Sequence, residues 1–253
     1  MTILGSGTSG GVPMIACPCA VCNSIDPHDR RLRCAILIES ETTCIVIDCG
    51  PDFRQQMLTH KVRKLDAVVF THAHKDHTAG LDDIRAYNYF QEAPMPVYAT
   101  PATQESLQKE YYYVFGPVRY PGIPELEMHA MGPEPFRIGD IRLQPIEVKH
   151  LNLPVLGFRA GDFTYITDAN YIGPEAMEKI KGSRTLVLNA LRQEKHLSHF
   201  SLPEAEAVAR EAGAAETYFT HISHQLGLHA QVSAGLPKGM HLAYDGLLLE
   251  AEA

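Results

Sequence analysis

The sequence has no apolar run long enough to cross a membrane and no excess of basic residues. A membrane-spanning helix needs roughly 20 consecutive apolar residues. Lys and Arg number 22 against 30 Asp and Glu, for a net charge of −8, which disfavours broad, salt-dependent binding to nucleic acid. The first residues, Met1 to Gly5, show neither the basic nor the apolar part of an export signal. We therefore expect a cytoplasmic protein that acts without a membrane.

No linker, internal repeat or low-complexity segment divides the chain. Hydrophobic residues make up 45% and charged residues 21%, which is ordinary for a globular protein. Strand-like and helix-like segments alternate along the whole length, with hairpins indicated at Phe136–Leu143 and Gly157–Asp168 and a closing strand pair at Leu242–Glu250. Such alternation is typical of layered α/β proteins, so one domain spanning residues 1–253 is expected.

A glycine-rich stretch follows the first strand, at Gly5–Gly11, and has the spacing of a dinucleotide-binding fingerprint. That function requires a helix immediately afterwards, so that the helix N-terminus can hold a pyrophosphate. Val12, Pro13 and a group of cysteines follow instead. We expect a loop through which backbone approaches a ligand.

The cysteines fall into two sets. Three are packed into six residues, where disulfides would be strained, and metal ligation is the better interpretation for these three: Cys17, Cys19 and Cys22. The others lie in or beside strand-like runs and are expected to be small buried hydrophobes: Cys34, Cys44 and Cys49.

The segment Thr71–His77 carries three imidazoles and a carboxylate within six residues, directly after the apolar run Ala67–Phe70. Imidazole and carboxylate suit zinc, manganese and iron, and four such groups exceed what one ion usually takes from one loop. Open α/β sheets place ligands at the ends of their strands. The segment therefore predicts a metal site for two ions.

Other strands also end in ligand-type residues, far along the chain. Two neighbouring ions need about seven protein ligands and a bridging water. The candidates are His72, His74, Asp76, His77, His150, Asp168 and His221. Asp48, at the end of another strand, either forms a turn or orients a metal-bound histidine, and the spacing leaves both open.

The string Thr-His-x-His-x-Asp-His, with later single His, Asp and His residues, resembles the metallo-β-lactamase superfamily over nearly the whole chain. The resemblance implies an α/β fold, the single-domain αββα sandwich of two mixed sheets flanked by helices. It also implies a division of the ligands. One ion would be held by His72, His74 and His150, the other by Asp76, His77 and His221, with Asp168 bridging them and Asp76 counted as catalytic too.

Two features resemble a subgroup, the PhnP-type cyclic-phosphate phosphodiesterases and the related tRNase Z. The first is Gly5–Pro13 with the cysteines, which implies a structural zinc on Cys17, Cys19, Cys22 and His224. The second is His199, just before a capping box at Ser201, which resembles the extra catalytic histidine of phosphodiesterase members. His199 fits that place better than His196.

These features predict a phosphodiesterase that uses two divalent ions (zinc, manganese or iron) on a small or cyclic substrate. The resemblance suggests 5-phosphoribosyl 1,2-cyclic phosphate and phosphonate metabolism. Hydroxide formed from the bridging water would attack phosphorus, with protonated His199 stabilising the phosphoryl oxygens or protonating the leaving alkoxide. The alternatives are thioester or lactone hydrolysis, tRNase Z-like processing of RNA 3′ ends, and a metal-dependent regulatory module. Nucleic acid is the less favoured partner, because no long basic or Gly/Pro-rich insertion is present.

The segment 111–127, which includes Arg119, is rich in Tyr, Gly and Pro. It is interpreted as a structured surface loop, with a lid over the site or the contact of a homodimer as alternatives.

Overall fold

The computed structural model describes residues 1–117 and 120–252, and within these residues two β-sheets lie face to face with helices outside. The first sheet has six strands in the order β1 to β6. They are β1 Thr2–Gly5, β2 Ala35–Glu39, β3 Cys44–Ile47, β4 Ala67–Val69, β5 Met95–Ala99 and β6 Leu126–Ala130. The second sheet has seven strands in the order β13 to β7. They are β7 Phe136–Ile138, β8 Ile141–His150, β9 Leu153–Ala160, β10 Phe163–Ile166, β11 Thr185–Asn189, β12 Glu216–Thr220 and β13 Met240–Leu242.

Both sheets are mixed. Strands β1 to β3 pair antiparallel and β3 to β6 parallel. In the second sheet β7 to β10 pair antiparallel and β10 to β13 parallel. Antiparallel neighbours need only tight turns, whereas most of the parallel ones are joined through helices.

The helices of the first half are α1 Phe53–His60, α2 Lys75–Thr78, α3 Arg85–Gln91, α4 Pro101–Glu110 and α5 Tyr112–Phe115. Those of the second half are α6 Pro174–Ile180, α7 Leu202–Ala212 and α8 His229–Gly235. In the part of the chain that the structure describes, none of them has the length and apolar character to span a membrane.

Three apolar layers hold the sandwich together. One layer lies between the two sheets, and the other two lie between a sheet and its helices. Strand β3 contributes to two of them: Ile45 and Ile47 pack between the sheets, and Val46 packs under the helices of the first half. A strand buried on both faces reads as a continuous apolar run, as this one does. The third layer packs α6 and α7 on the second sheet, through residues such as Met177 and Ala205. The predicted αββα sandwich of two mixed sheets is confirmed.

The two internal hairpins are confirmed, whereas the closing strand pair at Leu242–Glu250 is wrong. After β13 the chain turns, and Leu248 makes one isolated bridge to Thr2. Two features prevent the strand pair: Asp245 accepts hydrogen bonds from Ser6, near the other end of the chain, and Gly246 has φ of 89°, which a regular strand excludes. The expected loop at Gly5–Gly11 carries no helix. In the segment 111–127, Val118 and Arg119 lie outside the described residues.

Candidate metal centre

The predicted ligands gather at one edge of the sandwich, where strands end. His72 and His74 lie between β4 and α2, and α2 itself carries Asp76 and His77. His150 is the last residue of β8, whereas the other two ligands, Asp168 and His221, follow β10 and β12.

Asp168 lies at the middle of this set. Its Oδ2 is 2.8 Å from His77 Nε2 and 3.2 Å from His72 Nε2, and its Oδ1 is 2.8 Å from His221 Nδ1. Two groups of possible ligand atoms, each within 4.8 Å of one another, share this carboxylate. One is His72, His74 and Asp168, and the other is Asp76, His77, Asp168 and His221. Asp168 is therefore placed where a bridging ligand would lie.

His150 stands slightly apart from both groups. Its ring centroid is 5.1 Å from that of His74 and 6.0 Å from that of His72. Its Nδ1 donates to the carbonyl oxygen of Ser198 at 2.7 Å. That bond fixes the ring and occupies Nδ1, so Nε2 is the nitrogen of His150 that could bind an ion.

Asp48 orients the histidines from behind. Its Oδ2 accepts from His77 Nδ1 at 2.7 Å, and Thr71 donates to the same carboxylate through its backbone N–H at 2.9 Å and its hydroxyl. The Thr71 hydroxyl oxygen also lies 2.9 Å from His72 Nδ1. Both imidazoles are thereby fixed with Nε2 facing Asp168. Asp48 thus orients His77 and also turns the chain, with φ of 67°, so the structure shows a feature of each role that the sequence left open.

The backbone at this edge is specialised. Asp48, Asp168 and His221 have φ of 67°, 53° and 55°, in the left-handed region that side chains other than glycine rarely adopt. Each such residue costs about 1–3 kcal/mol, and such strain clusters at functional sites. Gly50 is needed for a different reason, because a Cβ there would lie 2.0 Å from the carbonyl oxygen of Asp76. The loop after β3 therefore packs directly on α2.

Three buried nitrogens are left without a hydrogen-bond partner among the described residues: His72 Nε2, His77 Nε2 and His199 Nδ1. The oxygen of Asp168 nearest to His77 is close enough to pair but lies outside hydrogen-bond geometry. An unsatisfied buried polar group costs about 1–3 kcal/mol. Imidazole nitrogens around a shared carboxylate form the ligand set that zinc, manganese or iron accepts, so these residues fit a divalent ion.

Without an ion, the charge of Asp168 is balanced by protonated histidines. Burial raises the pKa of the Asp168 carboxyl, but the charges on His221 and His77 outweigh it and hold the pKa well below its usual range. Burial lowers the pKa of His221, and Asp168 more than compensates, raising it to about 10. An entering cation therefore competes with protons, so metal affinity should fall in acid.

His199 faces the same centre. Its ring lies 4.4 Å from that of His150 and 4.8 Å from that of His221, and its Nδ1 is 3.8 Å from Asp168 Oδ1. Burial, followed by the charge of His221, lowers the pKa of His199 to about 2. The ring is therefore neutral here, in place of the protonated form expected from the sequence, because the cation would be desolvated beside another.

The position of His199 follows from its neighbours in the chain. Phe200 N donates to the carbonyl oxygen of Ala169 at 2.8 Å, which ties this loop to the residue after Asp168. The capping box is confirmed, since the Glu204 carboxylate accepts from Ser201 N at 2.9 Å and Ser201 Oγ at 2.8 Å.

A second cluster of possible ligands shares no residue with the groups around Asp168. The cysteine cluster, consisting of Cys17, Cys19, Cys22 and His224, has possible ligand atoms within 4.8 Å of one another. The Sγ atoms of Cys17 and Cys19 are each 3.4 Å from His224 Nδ1. The backbone N–H of Cys22, followed by His224, lowers the pKa of Cys19 to about 6, so a thiolate is available. Of the remaining cysteines, Cys34 and Cys49 are buried and Cys44 is partly buried.

Two residues that position the loops of the site, Asn189 and Asn170, were not predicted from the sequence. The Asn189 side chain accepts from Ala169 N at 2.8 Å and donates to Ala169 O at 2.9 Å, which fixes the backbone beside Asp168. Asn170 bonds to two neighbouring loops. Asn189 is the polar end of β11, so the strand-end pattern that identified His150 and His221 would have found it. Asn170 lies in a turn and carries no such signal.

Comparison with known proteins agrees with this geometry. Residues 43–222 match the model of the β-lactamase superfamily domain. The crystal structure of a new diphosphatase from the PhnP family is 40% identical, with 99% of this chain and 97% of that one covered and a TM-score of 0.93.

Two curated relatives carry other names. An octanoyltransferase of Porphyromonas gingivalis is 40% identical over 248 residues, which are 97% of this chain, and the chain spans 50% of that protein's length. A ribonuclease Z of Mycobacterium bovis is 24% identical over 234 residues, covering 79% of this chain and 83% of that protein. The chain therefore belongs to the β-lactamase superfamily and is related over nearly its whole length to a diphosphatase of the PhnP family.

Proposed function

We propose that this protein is a metal-dependent hydrolase of small or cyclic phosphodiesters. The observation that carries the proposal is Asp168 shared between two ligand groups, with buried His199 beside it. The PhnP-family relative, described as a diphosphatase, supports phosphate as the reacting group. Cyclic ribosyl phosphates and phosphonate metabolism remain the most specific form of the proposal.

Two divalent ions bound by these residues would supply a hydroxide near neutral pH and offset charge on the phosphate. The chain contributes the rest. Asp48 and Ser198 hold His77 and His150 in fixed orientations, so the site needs little rearrangement during the reaction. The neutral ring of His199 can donate an N–H hydrogen bond to a phosphoryl oxygen.

The cysteine cluster is proposed to hold a structural zinc. Four soft or borderline ligands around one point suit a closed tetrahedral site, which leaves no open position for chemistry. The expected content is therefore about three metals per chain, two at the edge of the sandwich and one in the cysteine cluster.

Acyl-thioester hydrolysis is the second candidate, because the Porphyromonas gingivalis relative is named for acyl transfer. That evidence is weaker, since this chain matches 50% of that protein and the acyl chemistry can lie in the other half. RNA processing is a third, suggested by the ribonuclease Z relative, and the net charge of −8 weighs against it.

The test is to measure bound metal by mass spectrometry and to assay bis(p-nitrophenyl) phosphate, a 2′,3′-cyclic nucleotide, a dinucleoside diphosphate, a precursor tRNA, an acyl thioester and a lactone. We expect phosphodiester turnover. His199→Leu should lower kcat by about 10²–10³-fold with metal content unchanged, because it removes the hydrogen-bond donor, whereas Asp168→Asn should lower both. His60→Leu, on α1, is the matched control. Thioester turnover without phosphodiester turnover would overturn the proposal.

A further inference from the structure

Four large apolar side chains are exposed on the chain segments that surround His150 and His199. Their exposed fractions are 45% for Leu151, 39% for Leu153, 52% for Tyr171 and 74% for Leu197. Scattered exposed apolar residues are ordinary, but apolar residues grouped beside a polar centre often mark a binding surface.

Backbone contacts bring the three segments together. Leu153 is the cross-strand partner of His150 in the β8–β9 hairpin. Tyr171 forms a bridge with Lys149, the residue before His150, with N–O distances of 3.0 and 3.3 Å. Leu197 directly precedes Ser198, whose carbonyl oxygen accepts from His150. All three segments thus meet at one metal-ligand candidate.

Asn170 fixes the arrangement. Its Oδ1 accepts from Leu151 N at 2.7 Å, and its Nδ2 donates to the carbonyl oxygen of Leu197 at 3.1 Å. Asn170 also stands two residues after Asp168, so one side chain ties two of the exposed leucines to the centre of the site. A surface held in this way loses little entropy on binding.

We propose that Leu151, Leu153, Tyr171 and Leu197, the apolar rim, bind an apolar group esterified to the scissile phosphate. The inference rests on the proposed function. The rim's segments also carry His150 and His199, so a group bound there would be joined directly to a phosphate at the site. A second copy of the chain covering the rim would instead block that approach. Lys149 Nζ lies 5.9 Å from the centre of the Tyr171 ring, so a cation stands beside one member of the rim.

The experiment uses phosphodiesters with one leaving group, p-nitrophenolate, and a second substituent that is methyl, octyl or phenyl. We expect kcat/KM for the better of the octyl and phenyl esters to exceed that for the methyl ester by about tenfold. The octyl and phenyl arms separate a lipid-like chain from an aromatic ring. Leu197→Ser and Tyr171→Ser should each reduce that preference about threefold. Leu248→Ser is the matched control, because Leu248 is equally exposed, at 74%, and pairs with β1 instead.

Other outcomes separate the two proposals. Equal turnover of all three esters would contradict the proposal that the rim binds an apolar group, and it would be consistent with the proposed function. Absence of turnover for every diester overturns the proposed function and the rim with it. Light scattering distinguishes the remaining case: if Leu197→Ser dissociates a dimer and leaves the ester preference unchanged, the rim is a subunit contact and the proposal is wrong.

Discussion

Asp168 and Asp48 lie fully inside the protein, each between several protein partners, whereas every member of the cysteine cluster is partly exposed. The histidines around Asp168 are oriented by Asp48, Thr71 and Ser198. The thiols of the cysteine cluster have hydrogen-bond partners mainly within the cluster and its own loop. One site is held by the fold, and the other chiefly by its own ligands.

A metal ion would therefore have different effects at the edge of the sandwich and in the cysteine cluster. At the edge of the sandwich, backbone strain and unsatisfied buried polar atoms lower the stability of the fold. The same features hold the possible ligands in place before an ion binds. In the cysteine cluster, binding of an ion would be coupled to the folding of its loop, because the thiols have hydrogen-bond partners mainly within that loop. Removing metal should therefore affect function at the first site and local structure at the second.

The largest expected effect comes from breaking the cysteine cluster. Replacing Cys17, Cys19 and Cys22 together by Ser should remove one of about three bound metals and lower the free energy of unfolding by about 3–5 kcal/mol, a fraction of what structural zinc supplies to a small finger. Mass spectrometry and urea unfolding measure the two quantities. Hydrogen exchange should increase in residues 13–26 and remain unchanged around Asp168.

The paired control replaces Cys34, Cys44 and Cys49 by Ala, which leaves the cluster intact. That variant should keep its full metal content. If the cluster variant also lost the two edge metals, the two sites would not be independent, and the contrast between them would fail.

A smaller effect is expected from loosening the protein's hold on the edge site. Asp48→Asn keeps the volume and shape of the side chain but weakens the bond that orients His77. Loss of such an outer partner typically costs 10–100-fold in metal affinity or activity. Competition with a chelating dye and kcat/KM at saturating metal separate these two losses. Asp66→Asn is the control, since Asp66, just before β4, also accepts a backbone hydrogen bond, from Cys44 N at the start of β3. Equal metal affinity in Asp48→Asn and the wild type would show that ligands alone set the geometry.

Most of the edge site could be predicted from the sequence, because its ligands follow strands. Asp168 and His221 follow β10 and β12, whose parallel arrangement brings their ends to one edge. His150 ends β8, which runs in the same direction as β10 because both pair antiparallel with β9. His199 lies on no strand and was found only through the capped helix after it. The role of Asp48 required the structure, since a turn-forming and an orienting carboxylate have the same local sequence.

The wrong predictions have causes that lie far away in the sequence. The apolar run after Leu242 suggested a strand pair, but Asp245 is drawn inward by Ser6 from the other end of the chain. No local pattern reports a contact across 239 residues. Similarly, the neutral state of His199 depends on burial and on His221, which sequence spacing does not reveal.

The smallest effect concerns His229, the first residue of α8, five residues after His224 of the cysteine cluster. It tests whether contacts that do not involve the cluster's possible ligands also stabilise this part of the protein. Arg31, which is buried, lies 3.0 Å from His229 Nδ1, and His229 N donates to Asp29. Burial, followed by the charges of Arg31 and His28, lowers the pKa of His229 from 6.5 to about 4, although Asp26 and Asp29 oppose the shift.

Because the unfolded chain binds this proton more tightly, the contribution of His229 to stability is complete above pH 6.5 and is lost as the pH falls toward 4. After allowance for solvent screening, the loss should be about 1–2 kcal/mol. Urea unfolding at intervals between pH 4 and 7 measures it, with His229→Gln as the reference that cannot titrate. The difference between the two curves should shrink steadily on acidification. If the difference in unfolding free energy between the wild type and His229→Gln stayed constant from pH 4 to 7, protonation of His229 would not destabilise the fold. The contact between Arg31 and His229 would then make no pH-dependent contribution to stability.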